Sequence, residues 1–361
     1  MAPQPPRFIA VRIAAAQVLT PDGFVGPAEV VVDGDRIVGL QRVDIAPDLV
    51  LAPGFVDAQV NGVDDLDVAS ASDWDRFDDL LFPTGVTTWC PTLVTAPLDD
   101  MAERLARVPE RDSIAGVHLE GPFLGGKPGA HPPHLLRPFD HTWLAALPPS
   151  VRVVTIGPEL VGAVDVTRML VAKGIVVSLG HSTATHEQVI ACVDAGARMV
   201  THLFNGMPAL HHREPGIVGA ALTDDRIVAG LIADLVHVHP VAIAVAFRAK
   251  PGRIALVTDA VAWRGARIGR IEIVHDGTAP RLPDGTLAGS SLTMDTAIRN
   301  VVRESGVALA DALVAASTTP AALLGLTDRG RIEAGARADL VALDPASLEV
   351  RGVWSGGRQV A

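Results

Sequence analysis

From residue 54 to residue 259 the chain repeats one pattern, a short and nearly unbroken apolar run followed by a longer stretch of mixed polarity. Runs that short, apolar on both alternating faces, read as strands of a parallel sheet covered on its outer side by helices. The runs are GFVDAQV (54–60), GVTTWCPT (85–92), IAGVHLE (114–120), VRVVTIG (151–157), GIVVSLGH (174–181), ARMVTH (197–202), IVAGLIA (227–233) and RIALVTD (253–259). They number eight, so an α/β fold of the (β/α)8 barrel type is expected. Helical patterns lie between most of them, as in SDWDRFDDLLFPTG, VDVTRMLVAKG and THEQVIACVDAG, the last with Gly196 placed to end the helix. TMDTAIRNVVRESG predicts the helix that follows the eighth strand.

The two ends have another texture. Residues 8–50 alternate short apolar runs with turn signals, and Asp33-Gly34 in AEVVVDGDRIVGLQRV reads as a hairpin turn. The last segment, ADLVALDPASLEVRGVWSGGRQVA, is similar, with Gly356-Gly357 as its turn. Residues 1–52 and 336–361 are therefore expected to form one small β-sandwich around a barrel spanning 53–335.

Composition narrows the function. With 361 residues, 48% of them hydrophobic and 20% charged, the chain can bury a large core. A formal charge of −11 without a basic stripe argues against nucleic acid. Cys90 and Cys192 lie far apart in apolar surroundings, so reduced, buried thiols in a cytoplasmic protein are expected. The start, MAPQPPRFIAVRIAAAQVL, reads as a poor signal peptide, and IVAGLIADLVHVHPVAIAVAF is broken as a membrane span by Asp234, His237, His239 and Pro240.

The polar residues then stand out by where they fall. Barrel chemistry collects at the carboxyl ends of the strands. There the third run carries His118 and Glu120, the fifth His181, the sixth His202 with Asn205 beyond it, and the eighth Asp259. Singly, each histidine reads more often as a hydrogen-bonded structural residue than as a ligand, and Asp259 reads as a helix cap. Jointly, one carboxylate and two imidazoles at strands three, five and six make a three-ligand catalytic metal site. In the first run Asp57, Gln59 and Asn61 occupy alternate positions, and so share one face of a strand.

PGFVDAQVNG, HLEGPF, GHSTAT, THLFNGMPALHHREPG, LVTDA and LAGSSLTM occur in that order along the chain. The set resembles the N-acetylglucosamine-6-phosphate deacetylase family of the amidohydrolase superfamily over essentially the whole length. The resemblance implies a metal-dependent (β/α)8 barrel with a β-sandwich made by both chain ends. It implies hydrolysis of an N-acetylated amino-sugar 6-phosphate to acetate and the free amine, in amino-sugar catabolism and cell-wall sugar recycling. Glu120, His181 and His202 would hold one divalent metal ion per subunit, zinc foremost, with iron, cobalt and manganese also accepted by such donors. Asp259 would act as general base and then acid. His131 would help polarise the substrate carbonyl, the flanking Ala130 being a further substrate contact. Arg213 and His237 would contact the phosphate, in their own or the neighbouring subunit of a homodimer. Asn205, Gly206, Leu287, Ala288 and Gly289 would line the substrate.

Many amidohydrolase barrels carry His-x-His where this chain has Gln59 and Asn61. Carboxamides bind zinc-like ions weakly, so a single metal is expected. Gln59 and Asn61 then either hydrogen-bond the metal water and its ligands or serve the strand end structurally, while His118 is expected to support Glu120. Two competing readings remain, a related amidohydrolase acting on another N-acyl or cyclic amide, and a non-catalytic sugar-phosphate-binding barrel. Between gluco and galacto substrates the sequence does not choose.

Overall fold

The computed structural model describes residues 11–361. The proline-rich residues 1–10, on which part of the leader reading and the start of the expected sandwich rest, lie outside them. All eight apolar runs form strands of one parallel sheet: β1 (Phe55–Val60), β2 (Val86–Val94), β3 (Val117–Glu120), β4 (Val151–Ile156), β5 (Val176–Leu179), β6 (Met199–Val200), β7 (Val228–Leu231) and β8 (Ile254–Leu256). They are hydrogen-bonded in sequence order, and a parallel bridge between Val60 and Ala260 joins the last strand's continuation to the first. The strands are buried on both faces because the barrel interior takes one set of side chains and the helices cover the other.

A helix follows each strand: Asp75–Leu81, Leu98–Leu105, His141–Ala145, Ala163–Ala172, His186–Asp194, Gly216–Thr223, Pro240–Ala249 and Met294–Ser305. Local sequence explains several ends. Thr185 and Gln188 form a reciprocal capping box on the fifth helix, and Gly196, just beyond its end, has φ +116°. The eighth helix does not follow its strand directly. Residues 260–293 first make an excursion with two short hairpins, Arg267–Ile268 with Ile271–Glu272 and Val274–His275 with Pro280–Arg281. Asp259 therefore caps no helix.

Both chain ends meet in one six-stranded sheet, where Val50–Pro53 pairs with Gln17–Thr20 on one side and with Leu340–Leu343 on the other. A three-stranded sheet of Val11–Ala15, Ala28–Asp33 and Arg36–Arg42 faces it across a separate apolar core that includes Val30, Ile37, Leu51 and Leu340. The first hairpin lies where expected, but Asp33 pairs with Arg36, so the two turn residues are Gly34 and Asp35 rather than Asp33 and Gly34. Gly34 takes the left-handed backbone, φ +61°, that this tight turn requires.

Candidate active site

Glu120 is the last residue of β3, and His181, His202 and Asp259 follow β5, β6 and β8 by two or three residues. All four are buried. The last three have positive φ, 48°, 25° and 49°, a backbone state that costs a non-glycine residue roughly 1 to 3 kcal/mol. Each turn is held by hydrogen bonds from elsewhere in the chain. Gly125 N donates to His181 O, Leu203 N to Gly230 O, and Ser290 N to Asp259 O, at 2.7 to 2.9 Å. The chain thus leaves each strand abruptly and points the side chain inward over the barrel mouth.

Three donor atoms converge there. His202 Nε2 lies 2.9 Å from His181 Nε2, and Glu120 Oε1 lies 3.1 Å from the former and 3.3 Å from the latter. Each imidazole places Nδ1 3.2 Å from a backbone carbonyl, His181 on Lys127 O and His202 on Asn205 O. A carbonyl only accepts, so Nδ1 carries the hydrogen and Nε2 presents its lone pair. Two lone pairs and a carboxylate oxygen aimed at one point repel one another unless a cation lies among them. The donor set therefore fits a divalent metal with a position left open. His131 also brings a ring nitrogen within 4.8 Å of the ligand atoms of Glu120 and His181. Its Nε2 is 3.8 Å from Glu120 and its Nδ1 is bonded to Thr95 Oγ1 at 2.8 Å, so His202 makes the closer third ligand.

The row in β1 sits against this cluster. Thr201 Oγ1 donates to Gln59 Oε1 at 2.9 Å, which orients the amide so that Nε2 donates to Glu120 Oε1 at 3.0 Å and to Asp259 Oδ1 at 3.1 Å. Asn61 Nδ2 donates to the same Asp259 oxygen at 2.7 Å, while its Oδ1 is buried without a partner among the described residues. Burial first, then the Glu120 carboxylate, push Asp259 up to about 7. Asp57 lies deeper and bonds Thr258 Oγ1 at 2.6 Å; burial raises its carboxyl to about 7. His118, expected to support Glu120, makes no hydrogen bond to it. Its ring bridges Ala58 O at 3.2 Å and Thr155 Oγ1 at 2.7 Å, one layer beneath, because residues two apart on a strand point the same way at different depths.

Above the cluster opens a cavity of about 440 Å³. Its wall includes Ala130, His131, Asn205, Gly206, His237, Leu287 and Gly289, seven of the residues expected to meet substrate. Gly289 has φ +64°, and a Cβ there would meet Val261 at 2.3 Å and Asp259 O at 2.8 Å, so the LAGS turn packs directly on the Asp259 turn. Ala288 faces the other way, into an apolar cluster with Val94 and Val261. Arg213 is exposed and lies away from the cavity of its own chain, where Nη1 meets His212 Nε2 at 2.8 Å.

The sequence profile of the amidohydrolase family matches residues 50–360. The chain belongs to the amidohydrolase family. It is 42% identical over 343 residues to the N-acetylglucosamine-6-phosphate deacetylase of Bos taurus, covering 86% of this chain and 83% of the relative. It is 37% identical to the N-acetylgalactosamine-6-phosphate deacetylase of Escherichia coli O157:H7, covering 96% and 98%. The crystal structure of N-acetylglucosamine-6-phosphate deacetylase from Thermotoga maritima superposes with a TM-score of 0.91 at 34% identity, covering 97% of this chain and 99% of that one.

Within this amidohydrolase barrel, three contributors escaped the sequence reading. Thr95 holds His131, and Thr201 orients Gln59. Glu159, just past β4, joins two site loops: Oε1 accepts from Gly126 N at 2.9 Å and Thr183 N at 2.8 Å, and Oε2 accepts from Ser182 Oγ at 2.6 Å. Lys127, whose carbonyl receives His181 Nδ1, is the next residue after Gly126. Glu159 follows an apolar strand as Glu120 does, and only that position could have drawn notice.

Proposed function

We propose that this enzyme hydrolyses the acetamide of N-acetyl-D-glucosamine 6-phosphate to D-glucosamine 6-phosphate and acetate. The observation that carries the reading is the convergence of Glu120, His181 and His202 beside a carboxylate, Asp259, with no role in capping a helix. The three would hold one divalent ion, zinc foremost. When bound, that ion supplies positive charge that acidifies a water and polarises the acetamide carbonyl. Asp259 takes the water's proton and returns it to the leaving nitrogen, and Gln59 and Asn61 hold its carboxylate in place for both transfers. His131, steadied by Thr95, donates toward the developing oxyanion from Nε2. The Gln59 amide fills the space between Glu120 and Asp259 that a second ion would need, which supports one metal per chain.

Ala130, Asn205, Gly206, Leu287 and Gly289 shape the sugar pocket, and His237, its ring fixed by Asp234 at 2.7 Å, faces the phosphate. Arg213 reaches the phosphate of a neighbouring subunit in a homodimer, a reading supported by its exposure outside its own cavity. The catalytic unit is the barrel, residues 53–335, flanked by sandwich segments that run up to residue 52 and from residue 336 to 361. Among the described residues no helix is long and apolar enough to cross a membrane. The free, buried Cys90 and Cys192 support a cytoplasmic location.

The test is acetate release by metal-loaded protein from the 6-phosphates of N-acetylglucosamine and N-acetylgalactosamine and from unphosphorylated N-acetylglucosamine, paired with metal analysis. Release from the gluco phosphate at about one metal per chain is expected; no release from protein with bound zinc sinks the assignment. Preference for the galacto phosphate is the second reading, favoured by the 96% coverage of the Escherichia coli relative.

A further inference from the structure

Two carboxylates, Glu120 and Asp259, line the cavity, so an anionic substrate needs a cation on the same wall. Among the described residues the wall has one cationic side chain other than its histidines, Arg281. It lies at the end of the second hairpin in the 260–293 excursion, paired with Val274 and bridged to Leu287. Its guanidinium is fixed along two edges. Nε donates to Asp276 Oδ2 at 2.5 Å, and Nη1 donates to Gly285 O at 3.0 Å. Asp276 is itself pinned, its Oδ1 accepting from Thr278 N, Thr278 Oγ1 and Ala279 N at 2.6 to 2.9 Å. The two hydrogens of Nη2 have no partner among the described residues.

An exposed arginine in a salt bridge is ordinarily of little consequence. Arg281 differs in being held by a fixed carboxylate and a backbone carbonyl while its third nitrogen has no partner among the described residues and its side chain lines the cavity of about 440 Å³. Rigid presentation lowers the ordering cost of binding, and a planar guanidinium suits phosphate oxygens.

We propose that Arg281 is a substrate-contacting residue that donates its free Nη2 edge to the phosphate. The same chain that supplies the metal ligands would then also supply an arginine to the phosphate. This rests on the sugar-phosphate reading above. It separates two sources of phosphate recognition, Arg281 from within the chain and Arg213 from a neighbour.

The experiment compares Arg281→Ala, Arg281→Lys and Asp276→Asn with the unaltered enzyme, using N-acetylglucosamine 6-phosphate and N-acetylglucosamine as substrates. Calorimetric binding of glucosamine 6-phosphate and of glucosamine is measured on the same proteins, so that one readout needs no turnover. Arg281→Ala should raise KM and the sugar-phosphate Kd by about ten- to a hundredfold, the value of a charge-assisted hydrogen bond, with kcat little changed. Constants for the unphosphorylated sugars should not move. Arg281→Lys keeps the charge but not the fork, and should fall between. Asp276→Asn should weaken only phosphorylated ligands, and by less than Arg281→Ala. Weakened binding of glucosamine 6-phosphate alone in Arg281→Ala supports the proposal even if no variant releases acetate, an outcome that defeats only the deacetylase reading. Unchanged binding of both ligands, or equal weakening of both, overturns it. If Arg281→Ala fails to fold, the lysine variant decides by the same criterion.

Discussion

The inner and outer ends of the cavity are built differently. At the inner end Glu120, His181, His202, Asp259 and Gln59 are buried, with Gln59 donating to Glu120 and Asp259 and both imidazole Nε2 atoms within 3.3 Å of Glu120, although they come from five different strands or strand ends. At the outer end Arg281 stands on a hairpin of the excursion, His237 on the loop after β7, and Arg213 on an exposed loop outside its own cavity. Sheet register places the inner residues, whereas loop packing places Arg281 and His237. Bond-making chemistry tolerates little displacement of its groups, so a stiff sheet suits it; recognition of a phosphate tolerates more and can vary with the loops.

This contrast can be broken by experiment. Inner-end substitutions should act on turnover or metal, outer-end ones on KM for phosphorylated substrate. The largest effect is expected from Asp259→Asn, which keeps the size of the side chain but removes the proton acceptor. Turnover should fall by about 1,000-fold or more with metal content and product binding nearly intact, and a fully active variant would refute the proposed base. To serve as the proposed base in the unaltered enzyme, Asp259 must be ionised. Since its carboxyl is raised to about 7 and a bound cation can only lower it, kcat/KM should rise with pH along an acid limb ending at or below about pH 7.

Glu159→Gln comes next. The carboxamide oxygen can still accept from Gly126 N and Thr183 N, but the nitrogen that replaces Oε2 cannot accept from Ser182 Oγ, so the loop whose Lys127 carbonyl fixes His181 should loosen. Metal affinity and kcat/KM should both fall by about ten- to a hundredfold, as measured by chelator competition and acetate release. A change in KM alone would place Glu159 with the outer end instead.

The smallest effect on catalysis is expected one layer below the site. Asp57 ionises near 4 in an unfolded chain but only at about 7 when buried. Its contribution to stability is therefore full below about pH 4 and is lost as pH rises through about 7. Asp57→Asn lacks that loss. Its melting temperature should gain on that of the unaltered protein between pH 4 and 8, by the equivalent of at most about 4 kcal/mol, with little change in kcat/KM. A gap that shrinks as pH rises would contradict the burial argument.

The barrel was legible because strands buried on both faces are apolar throughout, and a polar residue at the end of such a run is conspicuous. All eight runs became strands, and Glu120, His181, His202 and Asp259 meet at one end of them. His118 was misjudged because adjacency on a strand does not give depth, and only the barrel puts Thr155 and Ala58 beside its ring. Arg281 was passed over because the excursion holding it has no periodic pattern to set it apart from an ordinary surface loop.

What the amino-acid order determined by itself is local: the alternation of strand and helix, the hairpin at the start, and which residue types stand at each strand's end. Backbone sterics and apolar periodicity act over a few residues, and both can be read from neighbours. Tertiary structure alone decided that Gln59 would bridge Glu120 and Asp259, that Thr95 would hold His131, and that Arg281 rather than Arg213 would stand in the chain's own cavity. Those relations join residues 36 to 200 positions apart or depend on how a loop packs, and closure of the sheet into a barrel is what brings them within a hydrogen bond of one another.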